Sequence, residues 1–251
     1  MRKILQLGER DLHLLQYTGE NGLATFYQLL ALFWPASKSE RTARARLSLL
    51  EQAGLLTHHY IGARWPAELV FCLTGRAAEL FEPAQRELMI IGLPSHHEQK
   101  QILMAQDTRL YLERYLPTQH LRLIQWTNER VVRGRALANR LEGGSGWLRQ
   151  DESAEGPSHM AEVPDGEIIL GRVNSRGELI TGSQFRVYLE MDGQYWGKQL
   201  DQKLASLARL PDQTIYVVPE PRAERLRRAL EPYASSGKLI LLVLPWAKQV
   251  K

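Results

Sequence analysis

A chain of 251 residues, 44% hydrophobic and 24% charged, has the profile of a soluble globular protein with room for one large domain or two ordinary ones. Its net charge of +4 and pI of about 9.2 are mildly basic, compatible with a nucleic-acid partner without arguing for one. The lone Cys72 rules out an intrachain disulfide and a Cys-based zinc cluster, and no apolar run approaches the ~18–20 residues of a membrane span; with no long apolar segment at the N-terminus, the expectation is a cytoplasmic protein with no membrane partner.

Charge is nearly balanced in both parts of the chain. Residues 1–95 hold 10 Lys and Arg against 9 Asp and Glu, and the remainder holds 22 against 19, so any DNA signal has to come from local placement. "ERDLHLLQYTGE" predicts a helix with Leu12, Leu15 and Tyr17 near one face. "ATFYQLLALFWP" predicts a short apolar helix stopped by Pro35. "SKSERTARARLSLLEQAG" predicts a third, with Ser37 or Ser39 as N-cap, Leu47, Leu49 and Leu50 turned inward, and Gly54 as its stop. "LLTHHYIGARWPAELVFCLT" then reads as a hairpin around Gly62, Arg64 and Pro66, with His58 and His59 as structural residues.

Three helices followed by a hairpin is the order of a winged helix-turn-helix. Lys38, Ser39, Arg41, Thr42 and Arg44 cluster at the N-terminal half of the third helix, where a recognition helix meets base edges and phosphates. Arg64, at the hairpin tip, stands where a wing residue reaches the backbone or a neighbouring groove. The plain alternative is a small helical domain with a solvated basic face. Residues 1–95 are therefore expected to bind double-stranded DNA.

From residue 96 onward, "HHEQKQILMAQDTRLYLERYL" predicts a long amphipathic helix with Ile102, Leu103, Leu110, Leu112 and Leu116 inward. Leu121 to Trp126 reads as a strand, and residues 142–162, rich in Gly, Ser and acids, as an exposed loop. "PDGEIIL" and "ELITGSQFRVYLEMD" read as strands joined around "NSRG". A helix from about Tyr195 to Leu210, a strand "TIYVVP", a helix "RAERLRRALEPY" and a strand "KLILLVLP" complete a mixed sheet with helices on both faces. The overall fold class is α/β (α+β). In "FRVYLEMD" the odd positions are apolar and the even ones polar, the mark of a half-buried strand. That pattern puts Glu190 and Asp192 side by side, repelling each other unless a cation is near; the plain alternative is a solvated strand face.

The order "PDG", "LEMD" and a lysine in the next helix resembles the core of the PD-(D/E)XK nucleases. With "ARARLSLLEQAGLL", "VFCLTGRA", "WTNE" and "YLEMDG", the whole chain resembles the replication-relaxation family, and within it the MobC-type plasmid mobilisation relaxases. The resemblance implies a restriction-endonuclease-like domain over 96–251. In it Asp165 and Glu190 would be acids of the two half-motifs, and Lys203, with Lys198 as the alternative, the lysine. Asp192 stands where the common nuclease pattern has that lysine, and Glu129 is a further candidate acid. Mg²⁺ or Mn²⁺ suits such hard oxygen ligands, and Asp165, Glu190, Asp192 and Glu129 are the candidate metal ligands.

The activity implied is a metal-dependent endonuclease or relaxase that nicks plasmid origin DNA during mobilisation or replication. Its partners would be an origin duplex or operator and accessory mobilisation proteins, and the oligomeric state, a homodimer included, is left open. A second reading uses the same residues without catalysis: a winged-helix replication or transcription regulator whose degenerate nuclease-like domain keeps Lys203 as a salt bridge to Glu190. No P-loop and no Ser or Cys triad motif is present. Tyr111, Tyr188 and Tyr195 are the candidates for a covalent nucleophile, and the adjacent His96 and His97 are not spaced to ligate one metal together.

Overall fold

The structure, a computed structural model, describes residues 5–35, 40–62, 67–141, 163–193 and 195–244. It divides into two units, Met1–Leu110 and Tyr111–Lys251. Lys38, Ser39, Arg64 and the loop expected at 142–162 lie outside the described residues.

The first unit opens with α1 (Glu9–Asn21), whose start is held by Gly8 N–H donating to Asp11 Oδ2 (2.8 Å). A two-residue strand, β1 (Ala24–Thr25), leads into α2 (Phe26–Phe33). Thr25 and Gln28 cap α2 reciprocally: Thr25 Oγ1 accepts from Gln28 N–H (3.1 Å) and Gln28 Oε1 accepts from Thr25 N–H (2.8 Å). Then come α3 (Glu40–Gln52) and the hairpin β2 (Leu56–Ile61) and β3 (Glu68–Leu73), paired antiparallel, with β1 on the other side of β3.

Leu14, Leu15, Tyr17, Phe26, Leu29, Leu47, Leu50 and Phe71 share one core. Leu12 and Leu49, expected inward, are exposed, because the inward stripes of α1 and α3 run through Leu14, Leu15, Ala43, Leu47 and Leu50 instead. Two short helices, α4 (Gly75–Ala78) and α5 (Pro83–Glu87), had no sequence expectation.

α6 (His96–Tyr115) crosses from one unit to the other. Its Leu103 packs with Leu23, Ile61, Val70 and Cys72, and its Gln106 accepts from Tyr17 O–H (3.2 Å) and donates to Leu23 O. Residues 96–110, placed with the second domain by the sequence reading, thus pack in the first unit.

The second unit is built on a five-stranded sheet in the order β4 (Leu121–Asn128), β5 (Gly166–Arg172), β6 (Phe185–Met191), β7 (Gln213–Pro219) and β8 (Leu239–Leu244). β4–β5 and β5–β6 are antiparallel, whereas β6–β7 and β7–β8 are parallel. Parallel neighbours need crossovers, supplied by α8 (Lys198–Ala208) and α9 (Ala223–Leu230). α7 (Glu129–Leu141), also unexpected, follows β4.

Leu200, Leu204 and Leu207 of α8 and Ala223, Leu226 and Leu230 of α9 pack on Tyr188 of β6 and on Tyr216 and Val218 of β7. β6 is therefore not half-buried as its alternation suggested: Val187 through Met191 are all buried, because helices cover the face that carries its polar residues. Among the described residues no helix is long and apolar enough to cross a membrane.

Candidate functional site

Asp165 precedes β5, and Glu190 lies near the end of the neighbouring β6. The antiparallel register sets Gly166 opposite Leu189, so the acid just before one strand meets the acid near the end of the other. Asp165 Oδ2 accepts from Met191 N–H (2.8 Å), and its carboxyl stands beside that of Glu190 on the neighbouring strand.

Lys203 completes the group. It sits on the inward stripe of α8, three residues after Leu200 and four before Leu207, and helix geometry carries its side chain under the sheet. Its Nζ lies 2.8 Å from Glu190 Oε1, with the two side chains 6% and 1% exposed. Such an ion pair, shut away from water, is held by fixed geometry.

Burial is the largest influence on the Asp165 carboxyl and raises its pKa; the Met191 N–H, Lys203, the Glu190 contact and Arg133 act the other way, and the net shift is upward. The two neighbouring carboxyls, with Lys203 between strand and helix and Arg133 further off, repel each other when both are ionised, so the cluster favours a shared proton or a bound cation.

Asp192 faces the same way as Glu190 but binds elsewhere. Its Oδ2 lies 2.6 Å from Arg222 Nη1, and its Oδ1 accepts from the Tyr216 hydroxyl (3.3 Å). Burial, then the negative charges of Asp192 and Glu190, push the Tyr216 phenol up. Arg222, just ahead of α9, also donates to Tyr195 O (2.9 Å). Sequence reasoning missed Arg222; "VPEPR" has no periodicity to flag it, and only the parallel crossover after β7 brings it to β6.

Glu129 opens α7, rather than closing the strand before it, and pairs with Arg133. Among the described residues no group of three His, Cys, Asp or Glu side chains is placed to hold a metal. The four-acid ligand set is thus not assembled: Asp192 is engaged by Arg222 and Glu129 by Arg133. What remains is the pair Asp165 and Glu190. Two carboxylates fit a Mg²⁺-like ion, which keeps water and substrate-phosphate ligands rather than an all-protein cage.

Lys198, the other candidate lysine, is exposed at the first position of α8. Tyr188 is fully buried, and burial pushes its phenol up to about 12, the wrong direction for a nucleophile at neutral pH. Tyr195 lies with its ring 5.7 Å from Lys203 Nζ, and Tyr111 stacks on Tyr115.

In the first unit, Arg41 and Thr42 stand exposed on α3. Arg44 is held by two neighbours: its guanidinium lies 4.0 Å over the Phe26 ring, and Nη2 donates to Glu40 (3.3 Å). Arg46 joins α3 to α1 by Nε to Asp11 Oδ1 (2.9 Å) and Nη2 to Asp11 Oδ2 (2.5 Å). His58 Nδ1 lies 2.5 Å from Glu51 Oε1, tying β2 to α3 in keeping with a structural role. Cys72 is buried, and burial pushes its thiol up to about 12, which suits a packing residue. In comparisons with known proteins, no family model, no curated protein and no solved structure matches the chain.

Proposed function

We propose that the protein is a DNA-binding, metal-dependent endonuclease of the relaxase kind, similar to the MobC-type members of the replication-relaxation family. The first unit serves as a winged helix that binds duplex DNA, with Arg41 and Thr42 toward the groove. The second serves as a PD-(D/E)XK-like nicking domain acting on plasmid origin DNA. The observation that carries this reading is the meeting of Asp165 and Glu190 from adjacent strands, with Lys203 bonded to Glu190. An antiparallel run of strands followed by a parallel strand reached through the lysine-bearing helix is compatible with it.

Asp165 and Glu190 would hold Mg²⁺ or Mn²⁺, which when bound supplies Lewis-acid stabilisation of the phosphate and a water of lowered pKa. A cation bound beside Asp165 would favour its ionised form and offset the burial that raises its pKa. Lys203, anchored by Glu190, places an ammonium where negative charge develops during phosphodiester cleavage. Asp192 and Arg222 neutralise each other and hold the chain after β6 against the start of α9.

The near-complete burial of Glu190 and Lys203 favours a second reading, a winged-helix regulator whose second unit keeps the ion pair for structure alone. Supercoiled plasmid carrying the cognate origin separates the two. With Mn²⁺ or Mg²⁺, conversion to open circles that EDTA stops is the expected result. Intact supercoils with every metal, under conditions where the same duplex is bound, would establish the regulator instead.

A further inference from the structure

Residues 195–197 lie over the two basic side chains of the second unit's site. The Tyr195 ring sits against Lys203, and the next residue, Trp196, has the guanidinium of Arg225 3.8 Å and that of Arg222 4.9 Å from its ring centre. Arg222 also grips Tyr195 O and Asp192, so this segment is fixed at its backbone and at a buried carboxylate. Gly197, at φ +52 and ψ −132, makes the turn into α8 that an L side chain rarely adopts.

Trp196 is nevertheless 57% exposed. A large indole held this firmly and left open to water is poorly explained by folding, since burying it would be favourable. Lys198, two residues on, is exposed too, and Arg225 has no carboxylate partner among the described residues. Aromatic surface flanked by exposed cations is the chemistry that takes nucleobases by stacking and phosphates by charge.

We infer that Trp196, backed by Arg225 and flanked by Lys198, is a stacking platform for an unpaired base of the nucleic-acid strand that reaches the Asp165–Glu190 site. This rests on the reading of the second unit as acting on nucleic acid. It commits to a strand with free base faces, because a duplex keeps those faces stacked inside. Arg222 is a positioning residue: it touches no base and holds Tyr195 and Trp196 in place.

The test uses the full chain in EDTA and a fluorescent oligo(dT) of about 16 nucleotides, the upper end of single-strand site sizes. Wild type is expected to bind it, Trp196→Ala to weaken binding roughly tenfold or more, and Trp196→Phe to retain most of it. Arg225→Gln should lower affinity and flatten the salt dependence by about one phosphate contact. Both positions are exposed, so each variant is expected to fold, with at most a small fall in melting temperature from the lost Arg225–Trp196 contact. Wild-type affinity in folded Trp196→Ala and Arg225→Gln, or no strand binding by wild type, overturns the inference. So does a Trp196→Ala change that alters only the sedimentation of the protein, which would make the indole a protein contact. Because no metal is present, the outcome is separate from nicking: strand binding that depends on Trp196 can stand where plasmid cleavage fails.

Discussion

Lys203 shows how a single position is set by its neighbours. Leu200, Leu204 and Leu207 demand burial, and Lys203 is carried in with them, where its ammonium meets Glu190. Removing one partner leaves a buried, uncompensated charge, whereas removing both leaves an apolar gap. Lys203→Met should cost about 3–5 kcal/mol by denaturant titration, and adding Glu190→Leu should restore part of that loss. Additive losses in the double variant would mean the pair is not coupled.

Asp165 carries the opposite signature. Its folded pKa lies above the ordinary 3.8, so its contribution to stability is fully present below that value and is lost as pH rises through the raised pKa. Near neutral pH its charge opposes folding. Asp165→Asn should therefore melt higher than wild type at pH 7, with the gain fading toward pH 4. Mn²⁺ should raise the melting temperature of wild type but not of the variant, and equal shifts in both would place the ion elsewhere.

Among the elements, α3 and β6 show opposite limits of pattern reading. The sequence of α3 grouped Arg41, Thr42 and Arg44 as one basic surface, and periodicity did predict Leu47 and Leu50 inward. It could not separate Arg41, open to solvent, from Arg44, which is laid on Phe26 of α2 and tied to Glu40. That difference comes from tertiary packing. Arg41→Ala should leave the melting temperature unchanged and weaken cognate duplex binding by about 1–3 kcal/mol if it reads a base. Arg44→Ala should lower the melting temperature as well, through lost contact with Phe26. Identical behaviour of the two variants would contradict these placements. In β6 the alternation was legible, but its meaning was not: Tyr188 and Glu190 look solvated until α8 and α9 cover them. α7 escaped notice because "ERVVRGRALANRL" combines a glycine with four arginines and few large apolar residues.

For the whole molecule, strand order and the mixed sheet were legible because hydrophobic alternation is local, whereas the expectation that Asp165, Glu190 and Lys203 form one group came from the resemblance to a nuclease core; in the structure Lys203 bonds Glu190, and Asp165 lies just ahead of the neighbouring strand. The sequence did not convey that Asp192 and Glu129 would be claimed by Arg222 and Arg133, since those partners come from helices whose docking no short motif records. The proposed division of labour is open to a direct experiment. Asp165→Asn should abolish metal-dependent nicking while leaving duplex affinity within about twofold, since its change is small, partly buried and confined to the second unit. Arg41→Ala should do the reverse: weaker duplex binding by anisotropy, with the Mn²⁺-induced rise in melting temperature preserved. If folded Asp165→Asn loses duplex binding along with nicking, the second unit grips duplex DNA through this cluster, and assigning recognition to the first unit alone is wrong.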